Sequence, residues 1–366
     1  MKREKTLPRI KALSLFLILL FYPGSAFKFH KFQVQEFGVN YGRVGSNLPS
    51  PEKAVELIRS LSIKHVKIFD MDPTIIKAFA NTNISLSLCI PNQQIQSLAT
   101  NPSQADFIIQ TFILPYYRET RISSISVGNE VSMLPEFAQV LLPAMKNVYG
   151  ALRKFWLHKK IPVSTPHSLA ILAIWSPPSA AVFQESIAEL VLRPMLTFLN
   201  RINSPFMVNL YPYLTYKGSP SIPLHFALFS EGNQTFNYTD PNTGLPYTNL
   251  FDVLVDSLYS AAFSLGFYNL PLVVTETGWP SQGRPDDTAA SLQNAAIFNQ
   301  RLVRHVTRKQ IKGTPLRPGI PIPTFIFALF DEDQKTGGPV EKYWGLMYAN
   351  GTRKYDLGPP YLRSSI

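Results

Sequence analysis

The sequence predicts a single (β/α)8 barrel. Eight short apolar runs alternate with helix-patterned segments along one continuous stretch, the element count of that fold. The runs are nearly continuous in apolar residues, as in strands buried on both faces, where half-buried strands alternate. Two of the runs, far apart in the chain, end on a glutamate: Ile122-Ser-Ser-Ile-Ser-Val-Gly-Asn-Glu130 and Leu272-Val-Val-Thr-Glu276. One carboxylate at a strand exit is ordinary, but two can meet at one mouth, where α/β barrels place their chemistry. The 366 residues would also make two average domains. An open doubly wound sheet, the runner-up, would carry a Gly-rich phosphate turn after its first strand. Gly38, Gly42 and Gly45 lack that spacing.

Taken in order, residues 37–42 read as a first strand, and 49–61 as a helix opened by Pro-Ser-Pro-Glu with Ala54, Leu57, Ile58 and Leu61 at helical spacing. Strand two is 65–70, followed by a short helix with Asp72 as cap and Pro73 in its first turn. Strand three is 84–92. A helix over 105–114 leads to strand four, which ends on Glu130. Residues 135–156 read as largely helical, kinked or broken at Pro143. Strand five is 161–167 and strand six 205–213. The stretch 215–248, rich in Pro, Gly, Asn and Thr, reads as an exposed irregular excursion within the barrel domain. Residues 251–266 form an amphipathic helix closed by Gly, strand seven ends at Glu276, 288–308 is a long helix, and 323–332 is strand eight. No internal repeat and no low-complexity block interrupts the pattern.

Apolar residues are 45% of the chain and charged ones 16%, a globular balance, not a disordered one. The first 26 residues read as a secretory signal: a basic start (Lys2, Arg3, Lys5, Arg9, Lys11), an apolar run over 12–22, and Gly24-Ser-Ala26 for cleavage. Residues 27–366 would be the mature enzyme domain, with an uncleaved signal anchor as the alternative. The apolar run is short for a bilayer span, and the last residues lack the hydrophobic tail of a GPI anchor. Cleavage removes five bases and one acid, lowering the net charge from +11 to +7. A mildly basic exported surface favours retention on acidic polymers such as a pectin-like matrix. Nucleic acid is disfavoured, because no basic cluster interleaved with aromatics stands out. The one cysteine, Cys89, lies in an apolar run and has no internal partner. Asn83, Asn233, Asn237 and Asn350 head Asn-X-Ser/Thr glycosylation sequons.

Paired carboxylates are what glycosidic bond cleavage requires. With the strand exits in place, the chain resembles the plant endo-1,3-β-glucanases of glycoside hydrolase family 17. The resemblance rests on Gly38-Val-Asn-Tyr-Gly42, Val127-Gly-Asn-Glu130, Val208-Asn-Leu-Tyr-Pro-Tyr213, Thr275-Glu-Thr-Gly-Trp-Pro-Ser281, Phe327-Ala-Leu-Phe-Asp-Glu332 with Lys335, and Glu341-Lys-Tyr-Trp-Gly-Leu346. It runs from about residue 37 to 357. Each motif alone is weak, and their order and spacing together are specific.

The resemblance implies a retaining hydrolysis of 1,3-β-glucan (callose, laminarin, fungal wall glucan) with Glu276 as nucleophile and Glu130 as acid/base. It implies that Asn129 bonds the sugar 2-hydroxyl, and that Glu332, Lys335 and Glu341 form a charged cluster in the cleft. Tyr41, Asn209, Tyr211, Phe330 and Trp344 are candidates for the sugar-facing surface, since aromatic faces pack on pyranoses and amide or phenol heads bond hydroxyls. For each aromatic, core packing is the competing reading. Trp279 is expected to brace the turn after Glu276. Lys67 stands where the family more often has arginine, a departure that bears on local packing or a distal subsite. The open alternatives are a mixed 1,3-1,4-β-glucan hydrolase, a transglycosylase on the same site, and a glucan-binding wall protein without turnover. The six histidines show no metal-ligand spacing and no nucleophile elbow is present. No cofactor and no metal are expected, the partner is the polysaccharide, the default is a secreted wall monomer, and a stable membrane anchor is not expected.

Overall fold

The computed structural model describes residues 37–229, 236–308 and 313–358. The signal-peptide reading of residues 1–26 and the Asn233 sequon lie outside the described residues, as does the last stretch of the chain.

Eight parallel strands line up as predicted: β1 Gly38–Tyr41, β2 His65–Ile68, β3 Ser85–Ile90, β4 Arg121–Val127, β5 in two segments Val163–Ser164 and Pro166–Ser168, β6 Phe206–Asn209, β7 Leu272–Thr277 and β8 Thr324–Ile326. Neighbours in space run β5-β4-β3-β2-β1-β8-β7-β6 and back to β5. The first segment of β5 pairs with β4 and the second with β6. Only Thr165 separates them, so this one interrupted strand closes the sheet into a barrel. Almost every strand residue is buried, which explains the unalternating apolar runs: helices cover one face and barrel-interior side chains the other.

Helix starts are set by side-chain caps. Ser50, Asp72, Asn249 and Ser291 each accept a hydrogen bond from a backbone N–H of the first turn they precede. Four elements differ from expectation. Pro143 neither kinks nor breaks a helix; it lies in the first turn of the Leu141–Lys154 helix, where its missing N–H would have had no partner in any case. Strand six stops at Asn209, and Pro212 opens a helix over Pro212–Gly218. The Leu250–Ser264 helix is buried on nearly all sides, because further chain packs over its outer face; Ser257 Oγ, for example, donates to the carbonyl of Trp175 at 2.5 Å. An amphipathic reading therefore fails there. The 215–248 stretch is less irregular and less exposed than its composition implies: it holds a Leu224–Ala227 helical turn and an antiparallel pair, Tyr238–Thr239 with Pro246–Tyr247. Phe226, Phe229 and Tyr247 are buried.

Candidate active site

At the C-terminal ends of the strands the barrel opens into a groove of about 680 Å³ lined by both Glu130 and Glu276. Glu276 lies within β7, facing Asn209 of β6 across a register shift that follows Val274. It is 5% exposed. Its Oε1 lies 2.5 Å from Lys67 Nζ on β2, and its Oε2 accepts the Tyr211 hydroxyl at 2.8 Å. Lys67 is fully buried. A buried ion pair holds only when further contacts satisfy both charges. Here Nζ also donates to Asn129 Oδ1 at 3.2 Å and sits 4.4 Å from the centre of the Phe69 ring.

Glu130 is held differently. β4 ends at Val127 and the chain turns through Gly128 at φ +71°, where an added Cβ would come within 2.6 Å of Ile95 Cδ1. Glu130 itself has φ +58°, an uncommon left-handed conformation for a residue with a side chain. Neighbouring loops fix it. Its N–H donates to the Pro166 carbonyl at 2.9 Å, while Asn92 clamps Asn129, accepting from its N–H at 2.8 Å and donating to its carbonyl at 3.2 Å. The Glu130 carboxylate accepts from Asn209 Nδ2 at 2.8 Å. Thr275 Oγ1 donates to Asn209 Oδ1 at 2.7 Å, so the amide must aim its NH2 at the carboxylate.

The electrostatics separate the two acids. The Glu130 side chain opens onto the groove, but its carboxyl is surrounded by protein; desolvation and then the charge of Glu276 raise its pKa, with the Asn209 donor opposing. The Tyr211 phenol is pushed well above its ordinary value by burial and by both carboxylates, so its hydroxyl stays a donor toward Glu276. One carboxylate is offered a cation and a phenol; the other is offered one amide and a like charge. A hydrogen-bonded path joins them: Glu130–Asn209 at 2.8 Å, Asn209–Asn129 at 3.4 Å, Asn129–Lys67 at 3.2 Å and Lys67–Glu276 at 2.5 Å. A carboxyl whose pKa is raised beside a second, cation-paired carboxylate is suited to the acid role.

Comparison with known proteins adds the lineage. Residues 37–358 match Glycosyl hydrolases family 17. The chain belongs to this family. It is 45% identical over 324 residues to glucan endo-1,3-beta-glucosidase 12 of Arabidopsis thaliana, covering 88% of this chain and 60% of that protein. It is 40% identical to glucan endo-1,3-beta-glucosidase 14 of the same plant, covering 93% and 86%. The chain thus spans from under two thirds to most of the length of these relatives. Among solved structures, a β-1,3-glucanase and allergen of Cryptomeria japonica pollen superposes with a TM-score of 0.82 at 40% identity, covering 87% of this chain and 98% of that one. A plant β-glucan endohydrolase gives 0.80 at 38%, covering 87% and 99%. These likenesses bear out the barrel.

In this family 17 barrel the remaining predicted residues divide. Glu332, Lys335 and Glu341 do come together in the groove: Lys335 Nζ lies 3.6 Å from Glu332 and 3.9 Å from Glu341, and 4.1 Å from the centre of the Phe327 ring. Glu332 is buried and accepts from the Val44 N–H at 2.9 Å. Gly42 permits that approach, since a Cβ there would sit 2.3 Å from Glu332 Oε1. Trp344 lines the groove with its ring edge-on to Tyr211, centroids 4.9 Å apart. Tyr41 and Phe330 are not in the groove; they pack on each other in the core with centroids 5.9 Å apart. Alternation along β1 accounts for Tyr41: Asn40 Nδ2 reaches across the barrel interior to the Thr275 carbonyl, so the next side chain points outward. Trp279 is buried and donates to the Ala289 carbonyl at 2.8 Å, bracing the turn after Glu276. Asn83, Asn237 and Asn350 are exposed.

Two features were missed. Lys67 is no distal residue; it touches Glu276. A lysine inside an otherwise apolar strand was the available signal, because a buried ammonium demands an acidic partner. Arg43, Asp70 and Asp72 form the second, with Arg43 bonded to both acids and Arg43 and Asp70 among the residues lining the groove.

Proposed function

We propose that the chain is an exported endo-hydrolase of 1,3-β-glucan that retains anomeric configuration. The observation that carries this reading is the hydrogen-bonded path joining two unequal carboxylates in one groove. In the first step a Glu276 oxygen attacks the anomeric carbon while the glycosidic bond breaks and the leaving oxygen takes the Glu130 proton. Lys67 and Tyr211 hold the attacking carboxylate in place, one on each oxygen. In the second step Glu130, now a base, removes a proton from water; the water oxygen bonds the anomeric carbon and Glu276 departs unchanged. Asn129 and Asn209 are proposed to bond sugar hydroxyls, and Tyr211 and Trp344 to receive a sugar face.

Substrate choice is supported by the names of the similar proteins, which are 1,3-β-glucosidases and β-1,3-glucanases. Export is supported by the basic-then-apolar first 26 residues and by the exposed sequons. Hydrolysis of laminarin beside mixed 1,3-1,4-β-glucan, by wild type and Glu276→Gln, with product anomers followed by NMR, tests the assignment. Release of β-configured 1,3-oligomers by the wild type alone is the expected result. Preference for the mixed polymer would change the substrate, and inactivity of both proteins would leave a glucan-binding protein.

A further inference from the structure

The opposite end of the barrel carries a feature that folding does not explain. Trp156, between the Leu141–Lys154 helix and β5, is 83% exposed. It is also in the left-handed region at φ +61°, which disfavours a bulky side chain. A large ring left in water on a strained residue adds nothing to the core, whose neighbouring members Phe155 and Leu157 turn inward.

The charge around it is one-sided. Residues 137–184 contain no Asp or Glu, yet hold Lys146, Arg153, Lys154, Lys159 and Lys160, all exposed. Of these five, among the described residues, only Lys154 has an acidic partner, Asp106 at 2.5 Å. The adjoining loop before β4 adds Arg118, and the first residue of β4 adds Arg121, with Glu119 as the acid between them. Lys160 joins the two loops, its Nζ 5.9 Å from the centre of the Tyr117 ring. Both loops precede parallel, paired strands, so they share the N-terminal end of the barrel, away from the groove.

We propose that this patch is a second carbohydrate site, one for an anionic polyuronate chain. The Trp156 face would take the apolar face of a pyranose, and Lys159, Lys160 and Arg153 the carboxylates on the flanking sugars. A bilayer surface fits less well, because insertion takes several apolar side chains projecting together, and Trp156 stands between exposed cations, Arg153 and Lys154 before it and Lys159 and Lys160 after it. A polymer held at this end leaves the groove open, so the chain could be retained on an acidic matrix while its cleft works on another polymer.

The test is binding of the full chain to de-esterified polygalacturonate, with fully methyl-esterified polymer and phosphatidylserine vesicles alongside. The expected result is salt-sensitive binding to the de-esterified polymer alone. Trp156→Ala and the double change Lys159→Glu, Lys160→Glu should each weaken it about tenfold, the loss of one aromatic stacking face or one pair of charge contacts. Trp156→Gly, which suits the left-handed backbone and guards against misfolding, should bind as weakly as Trp156→Ala. Laminarin hydrolysis should be unchanged in all of them. Binding unaffected by Trp156→Ala and Trp156→Gly would overturn the site, leaving diffuse charge; tighter retention by the vesicles would overturn it in favour of a membrane surface.

Discussion

The exits of β4 and β7 deliver the same functional group in opposite ways. Glu276 is inside a strand, buried, with a lysine and a phenol on its two oxygens. Glu130 stands past the end of its strand, on left-handed backbone, with one amide on its carboxylate and a like charge nearby. In the proposed mechanism the first arrangement holds the attacking carboxylate and the second a carboxyl whose raised pKa suits it to deliver a proton. On that reading, position on the fold, not residue type, separates a nucleophile from an acid.

The largest effect should come from exchanging the carboxylates for amides. Glu276→Gln removes the attacking atom and should lower kcat by roughly four orders of magnitude on every substrate. Glu130→Gln should lose as much on laminarin, but far less on an aryl β-glucoside whose leaving group needs no proton. Steady-state rates on the two substrate types read the difference. Equal losses for Glu130→Gln on both would erase the distinction between the two exits.

The next effect concerns Lys67. Removing one partner of a buried ion pair costs about 3–5 kcal/mol, so Lys67→Met should lower the denaturation midpoint visibly. It should also lower kcat/KM on laminarin, because the Glu276 carboxylate loses the ammonium that holds its Oε1. Lys67→Arg, keeping the charge, should recover part of that loss. Lys67→Met activity equal to wild type would reduce the lysine to packing.

A smaller effect tests Glu130 through stability. Its pKa is raised in the folded state, so the unfolded chain releases this proton more readily. Stability is therefore lost as pH rises from the unfolded pKa through the folded one. Glu130→Gln should raise Tm near neutrality, and the gain should vanish below about pH 4, the ordinary glutamate range, where the wild-type carboxyl is protonated in both states. Because the side chain opens on the groove, solvent screening keeps the gain small. Calorimetry at the two pH values checks it.

Much of this was legible because parallel strands advertise themselves. Continuous apolar runs located all eight and their tips both glutamates, while the family motifs added Asn129, Asn209 and Tyr211. What sequence spacing could not supply was closure. Lys67 and Glu276 are far apart in the chain and lie on β2 and β7, which are not neighbours in the sheet, so their contact exists only across the closed barrel. Pro143 was misread because its effect depends on which turn of the helix it enters, and helix ends are set by the local cap. The Leu250–Ser264 helix was misread because its outer cover comes from distant chain.

Tyr41 marks the same limit at single-residue scale. It sits in a motif beside the cleft, one residue before Gly42, and the motif left it a candidate sugar contact with core packing as the competing reading. The structure turns it into the core, against Phe330, and burial raises its phenol pKa to about 12. Tyr41→Phe keeps the ring and its packing, so kcat/KM on laminarin should change less than about twofold, under roughly 0.4 kcal/mol. The same change at Tyr211 removes the hydroxyl from Glu276 and should cost about ten- to a hundredfold, the worth of a hydrogen bond to a charged group. Two tyrosines in similar strand-exit motifs would then differ by the direction their strands point them. A loss at Tyr41→Phe approaching that at Tyr211→Phe would mean that the β1 exit opens toward the groove when substrate is bound.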